Sequence, residues 1–195
     1  MSETGTYIDD VGAVSRALGG LGLTPILVGG MALVLLGSRR VTRDFDFVIA
    51  KPDDCLERLL SVFYDRGLNL ASRVNDAGEV VATIDNRRIA AIRLRLDAPS
   101  SAYFFNRKSG LRIDLLFDFP IPAADLAKAA TRTRVRSQVL HVAAEEDLLR
   151  LKRIAKADRS SPGDAEDIAF LEARQHRAKS HVPEAPRKTR SRSGE

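Results

Sequence analysis

The chain has 195 residues, 44% of them apolar and 29% charged, which suits one soluble domain with a real core and argues against a disordered or membrane protein. Its formal net charge is +5, but residues 174–195 hold seven Lys or Arg against two Glu, so residues 1–173 are neutral and the basic balance belongs to the tail. The lone cysteine, Cys55, excludes an internal disulfide or a thiolate metal cluster. No apolar run approaches the roughly 20 residues that cross a bilayer, and the start M-S-E-T-G lacks a basic, apolar leader; a cytoplasmic protein without membrane contact is expected.

Ile8, Val11, Val14, Leu18 and Leu21 recur at helical intervals and predict an opening helix over 8–21. Pro25 leads into a short buried strand, Ile26–Val28. The Gly29-Gly30 turn then feeds a helix from Met31 to Leu36, ended by Gly37 and Ser38. Residues 43–50 alternate polar and apolar, the pattern of a second strand. Pro52, Asp53 and Asp54 suit the first turn of a helix that runs to Arg66 and stops at Gly67. Four strand-like runs follow, at 79–84, 88–96, 102–106 and 111–117, with Asp85-Asn86 and Lys108-Ser109-Gly110 as turns between them. Residues 135–142 add one more strand, and helices at 144–157 and 162–174 close the chain. This order predicts an α+β fold, or α/β with a mixed sheet, in a single domain over 1–173. The tail, 174–195, is rich in Arg, Ser and Pro, lacks apolar periodicity and reads as disordered. It is either a solubilising end or a weak, salt-sensitive attractor of nucleic acid.

Asp44 and Asp46 stand at i and i+2 on the second strand and so share a face, roughly 7 Å apart by strand rise. Two such carboxylates repel unless something positive lies between them, and a divalent metal is the usual answer. Asp114 lies in L-R-I-D-L-L-F, a strand buried on both faces, where a charge is costly unless paired or bound to a cation. If the two strands are neighbours, three carboxylates converge into an oxygen-only cluster suited to Mg²⁺. Two such ions about 4 Å apart can hold an attacking and a leaving oxygen in line. The Gly29-Gly30 turn lets a phosphate approach the backbone, next to the N–H groups that open the following helix. Ser38, Arg39, Arg40 and Arg43 lie between turn and aspartates, where guanidinium groups can take triphosphate oxygens. Each piece has a plainer reading. Gly-Gly is a common turn, Asp-x-Asp is often a solvated face, Asp114 can pair with an arginine, Lys152 can sit on an exposed helix face and Asp164 can cap a helix. Cys55 reads as a structural thiol, and His141, His176 and His181 lack metal-ligand spacing. The conjunction of the pieces is far more specific than any one of them.

That conjunction resembles the signature of the nucleotidyltransferase superfamily, the DNA polymerase β-like fold: hydrophobic-Gly-Gly, a spacer, Asp-x-Asp, and a third acid on a later strand. Within it the chain is similar to the minimal nucleotidyltransferases related to AbiE-type abortive-infection toxins and MenT toxins. The matching stretches are G-G-M-A at 29–32, R-V-T-R-D-F-D at 40–46, D-L-L-R-L-K at 147–152 and D-A-E-D-I at 164–168. The resemblance implies that Asp44, Asp46 and Asp114 hold Mg²⁺, two ions being expected, and that Asp114 accepts the proton of the attacking hydroxyl. It implies that Gly29 and Gly30 hold the triphosphate, beside which the position of Ser38, Arg40 and Arg43 in the chain already suggests a role for them. Lys152 would contact phosphate or base, and Asp164 or Asp167 would support it or position the acceptor, Asp167 being the better candidate to reach back to Lys152. The expected activity is transfer of a nucleoside monophosphate from a nucleoside triphosphate to a hydroxyl of RNA (a tRNA 3′ end), protein or a small molecule. A cognate antitoxin is an expected partner. The rival expectation is a non-catalytic nucleotide- or partner-binding module on the same fold.

Overall fold

The computed structural model describes residues 3–158 and 162–180. Helix α1, Glu3–Gly19, buries Ile8, Val11, Val14 and Leu18, the stripe its periodicity predicts. Strand β1, Ile26–Val28, is buried throughout and passes directly into α2, Gly29–Leu35, and then β2, Asp44–Ile49. Helix α3, Leu56–Tyr64, starts later than Pro52. Cys55 N–H bonds back to the Pro52 carbonyl at 3.0 Å, so Asp53 and Asp54 form a turn and do not open the helix. Strand β3, Asn69–Val74, is unannounced by the sequence, because exposed Ser72 and Arg73 break the apolar alternation. Strand β4, Val80–Ile84, agrees with expectation.

The run at 88–96, expected as a strand, is helix α4, Arg87–Asp97. Ile92 to Leu96 alternate apolar residues with arginine and so mimic a strand, but the cap decides. The Asn86 side chain accepts from the N–H groups of Arg88 at 2.9 Å and Ile89 at 3.3 Å, satisfying donors that a helix start leaves open. Ala90, Ala91 and Leu94 then form the buried stripe, and Ala98 in the left-handed region ends the helix. Strands β5, Ser101–Phe105, and β6, Arg112–Phe117, follow as expected. A short helix α5, Ala123–Ala127, is new. The single strand expected over 135–142 is a hairpin of β7, Thr131–Val135, and β8, Gln138–Val142, turning at Arg136 and Ser137. Helices α6, Glu145–Asp158, and α7, Pro162–Ser180, close the described chain. Residues 174–180, assigned by composition to the tail, are thus helical, and 181–195 lie outside the described residues.

The eight strands form one mixed sheet in the order β4-β3-β5-β6-β2-β1-β8-β7. The pairs β2/β6 and β1/β8 are parallel and the rest antiparallel, the α+β architecture the sequence predicts. Helix α3 presses Leu56, Leu59, Leu60 and Phe63 onto the sheet, and Phe63 stacks on Phe104 of β5 with centroids 3.9 Å apart. Each such fully buried side chain contributes about 1.5–3 kcal/mol by leaving water. Strand β3 pairs with β5 only at Asn69 and Leu70, then bulges between Ala71 and Val74 and leaves that partner. No described helix is long and apolar enough to cross a membrane.

Candidate active site

Strands β2 and β6 lie side by side in parallel register, with Asp44 opposite Arg112 and Asp46 opposite Asp114. Register partners point to the same sheet face, so all three carboxylates share it, on strands about 4.8 Å apart. The convergence expected of Asp44, Asp46 and Asp114 is therefore built into the pairing. Asp114 is buried, 6% exposed, while Asp44 and Asp46 are half-buried.

Arg112 grips Asp114 with a fork. Its Nε donates to Oδ1 and its Nη2 to Oδ2, both at 2.7 Å. Its remaining amino group, Nη1, donates to the Gly78 carbonyl at 2.7 Å, and its Cζ lies 4.7 Å from the centre of the Tyr103 ring. Burial nonetheless pushes the Asp114 carboxyl up to about 7, against the pull of the Arg112 fork, with the negative charges of Asp46 and Asp44 adding to the rise. Among the described residues no group of three His, Cys, Asp or Glu side chains stands ready to hold a metal ion, and the Arg112 fork engages both Asp114 oxygens. The donor set itself, oxygen only, fits a hard divalent cation.

The glycine corner is pressed against this cluster. Gly29 has φ +65°, and a Cβ there would come within 2.0 Å of Asp46 Oδ2. Only glycine satisfies both the backbone conformation and the close approach of the carboxylate. Gly30 is covered by Arg40, whose Cζ would be 3.0 Å from an added Cβ.

Arg40 connects this corner to the last two helices. Its Nη1 is ion-paired with Asp167 of α7. Asp167 also accepts Lys152 Nζ of α6 at 2.7 Å, and Lys152 reaches Asp164 at 3.0 Å. Lys152, Asp164 and Asp167 are 8%, 2% and 3% exposed. The expectation that Asp167 reaches back to Lys152 matches this geometry, and Asp164 does so as well. Ser38 accepts from the Arg40 N–H at 3.3 Å and so shapes the loop. Arg39 and Arg43 are exposed and form no ion pair among the described residues. The motif therefore divides. The acids and glycines meet at the sheet, Arg40, Lys152, Asp164 and Asp167 form a network behind Gly30, and Arg43 stands at the rim.

Sequence reading alone passes over four participants: Arg112, Tyr103, Gly78 and Arg174. Arg112 was findable, since Arg-x-Asp on a strand obeys the same alternation that pairs Asp44 with Asp46. Tyr103 becomes visible only once β5 is registered against β6, where it sits opposite Asp114. Arg174 donates to the Leu36 carbonyl at the end of α2 and to Glu145, which ties α7 to the helix after the glycine corner.

No family model matches the sequence, and no curated protein matches it significantly. Solved structures do. An antigenic nucleotidyltransferase-like protein from Paracoccidioides brasiliensis superposes with a TM-score of 0.54 at 18% identity, over 85% of this chain and 74% of that one. The lincosamide antibiotic adenylyltransferase LnuA, solved with lincomycin, gives 0.52 at 13%, over 84% and 95%. ANT(2″)-Ia, solved with adenylyl-2″-tobramycin, gives 0.54 at 12%, over 89% and 92%. Likeness at such identities speaks for architecture alone: the chain carries the nucleotidyltransferase fold.

Proposed function

We propose that the protein is a Mg²⁺-dependent nucleotidyltransferase that moves a nucleoside monophosphate from a nucleoside triphosphate to an acceptor hydroxyl, releasing pyrophosphate. The observation that carries this reading is the register of Asp46 against Asp114, with Asp44 on the same face and Gly29 against Asp46. Asp44, Asp46 and Asp114 would hold the metal, two ions in our reading, which would neutralise charge at the α-phosphate and bring the acceptor oxygen into line. The chain's own groups do the rest. The Gly29-Gly30 backbone offers a surface without side chains to the triphosphate. Arg40, held over Gly30 by Asp167, presents a cation beside it, and Arg43 and Ser38 lie on the same loop. Lys152 with Asp164 and Asp167 fixes Arg40 in place. Asp114 would accept the proton of the attacking hydroxyl at a carboxylate oxygen.

For the acceptor we favour a macromolecular hydroxyl, the 3′ end of an RNA such as tRNA or a protein side chain, in a toxin held in check by an antitoxin. What supports this is the sequence likeness of the late Lys152, Asp164 and Asp167 element to the toxin subgroup. A second reading, a small-molecule acceptor, is favoured by the fold likeness to LnuA and ANT(2″)-Ia, whose structures contain lincomycin and adenylyl-tobramycin.

The test is incubation of the protein with each α-labelled nucleoside triphosphate and Mg²⁺, against total RNA, lysate protein and a panel of aminoglycosides and lincosamides. Label should move to one acceptor class with wild type and not with Asp44→Ala plus Asp46→Ala. Equal labelling by both proteins would end the assignment. A non-catalytic module predicts nucleotide binding with no label transferred to anything.

A further inference from the structure

Strand β3 starts level with Arg112: Asn69 pairs with Phe105, and Phe105 with Arg112. Had β3 run on flat beside β5, its turn into β4 would lie roughly 20 Å away, at about 3.3 Å per residue. It does not. Pairing with β5 ends at Leu70, bulges interrupt the β3/β4 ladder, and the Gly78 carbonyl in the turn accepts a bond from Arg112 Nη1 at 2.7 Å. The β3–β4 hairpin is therefore folded back toward the face that bears Asp44, Asp46 and Asp114. One guanidinium closes both oxygens of Asp114, holds the turn of this hairpin and rests on the Tyr103 ring.

We propose that Arg112 is a latch: it occupies the third carboxylate and tethers the β3–β4 hairpin over the site, and a divalent cation taking Asp114 releases both. The inference rests on the carboxylate reading above. A cation can take an oxygen of Asp114 only by displacing an Arg112 N–H, because the fork engages both oxygens. A displaced guanidinium cannot keep its reach to Gly78 unchanged, so the hairpin moves with it. The gap beside β5, lined by Ser72, Arg73, Ser101 and Tyr103 with a volume of about 220 Å³, gives the hairpin room to shift. Arg112 is in this account a positioning residue, acting through Asp114 and the hairpin.

Two measurements independent of turnover test it. The first is Mn²⁺ titration by electron paramagnetic resonance without nucleotide. Arg112→Gln removes a like charge beside the ion and a competitor for Asp114, so Mn²⁺ should bind on the order of tenfold more tightly than to wild type. The second is a nitroxide placed by Ala77→Cys in a Cys55→Ser background. The label should be immobilised in the unliganded protein, freed by Mg²⁺, and free from the start with Arg112→Gln. Should that variant fail to fold, Arg112→Lys, which keeps the charge but cannot form the fork, should likewise free the label. Unchanged or weaker Mn²⁺ binding by Arg112→Gln, or a label indifferent to Mg²⁺ and to both substitutions, overturns the latch. If Asp44→Asn abolishes Mn²⁺ binding while Arg112→Gln does not strengthen it, the latch falls and the proposed function stands. If wild type binds no Mn²⁺ at all, the metal reading fails and takes the latch with it.

Discussion

Lys152→Met should destabilise the protein severely, and the structure says by how much. The Lys152 side chain is 10% exposed and is the shared partner of two carboxylates that are 3% and 4% exposed. Removing it leaves Asp164 without its lysine, and Asp167 with Arg40 alone. Breaking a buried ion pair by deleting one partner costs about 3–5 kcal/mol, because the remaining charge stays desolvated. In a chain of this size each kcal/mol lowers the melting temperature by roughly 2–4 °C, so a fall of about 6–20 °C is expected. Arg40→Met should cost less, about 1 kcal/mol at most, since the Arg40 side chain is 33% exposed and Lys152 still holds Asp167. The assay is urea unfolding of both single variants and the double variant, which gives the coupling through Asp167 directly. A Lys152→Met protein as stable as wild type, or less affected than Arg40→Met, would refute the network as the clamp behind the glycine corner.

Gly29→Ala should cost about 1–3 kcal/mol in backbone strain and, by pushing Asp46 aside, lower any transfer rate at least about a hundredfold, checked by melting and by the labelling assay. Asp114 should make stability fall with pH. Its folded carboxyl titrates above its ordinary value, so its contribution is fully present below about pH 4 and is lost as pH rises through about 7. The total should be on the order of a few kcal/mol in urea unfolding, with a flat profile in Asp114→Asn. Mg²⁺ should raise the melting temperature of wild type at pH 8 and leave that of Asp44→Asn plus Asp46→Asn unmoved. Phe63→Ala, which removes a ring stacked on Phe104, should cost about 3–5 kcal/mol while leaving Mn²⁺ affinity intact, separating core from site.

The parts of the site that follow from local chemistry were open to inspection in the sequence. The strand Ile26–Val28, the corner at Gly29 and the face shared by Asp44 and Asp46 depend only on periodicity and on residues close along the chain. The third acid is different. Asp114 is 68 positions beyond Asp46, and its pairing with that residue depends on β6 entering the sheet parallel to β2, which no local pattern dictates. Helix α4 shows the opposite failure. Arginine and leucine alternate locally like a strand, yet the Asn86 cap and the buried Ala90, Ala91 and Leu94 make a helix. Strand β3 escaped because it pairs with β5 at two residues and then departs, so little of it carries a sheet's apolar alternation. Departures from regular pairing hide an element from sequence reading, and here the departure brings a hairpin to the site.

The two clusters flanking the glycine corner differ in make-up, and that difference separates their roles. Behind Gly30, two cations meet two carboxylates, and nearly all the charge is buried and bonded. In front of Gly29, Asp44, Asp46 and Asp114 share one sheet face, and burial, with the charges of Asp46 and Asp44 adding to it, pushes the Asp114 carboxyl up to about 7. The donors of that set are all carboxylate oxygens, the chemistry that suits a hard divalent cation. A chain that needed only a stable fold could relieve Asp114 by replacing Asp46 or Asp44 with a neutral residue. Gly29 lets Asp46 come against the backbone, and the Lys152, Asp164 and Asp167 cluster holds Arg40 over Gly30, which is the arrangement that the proposed triphosphate site requires.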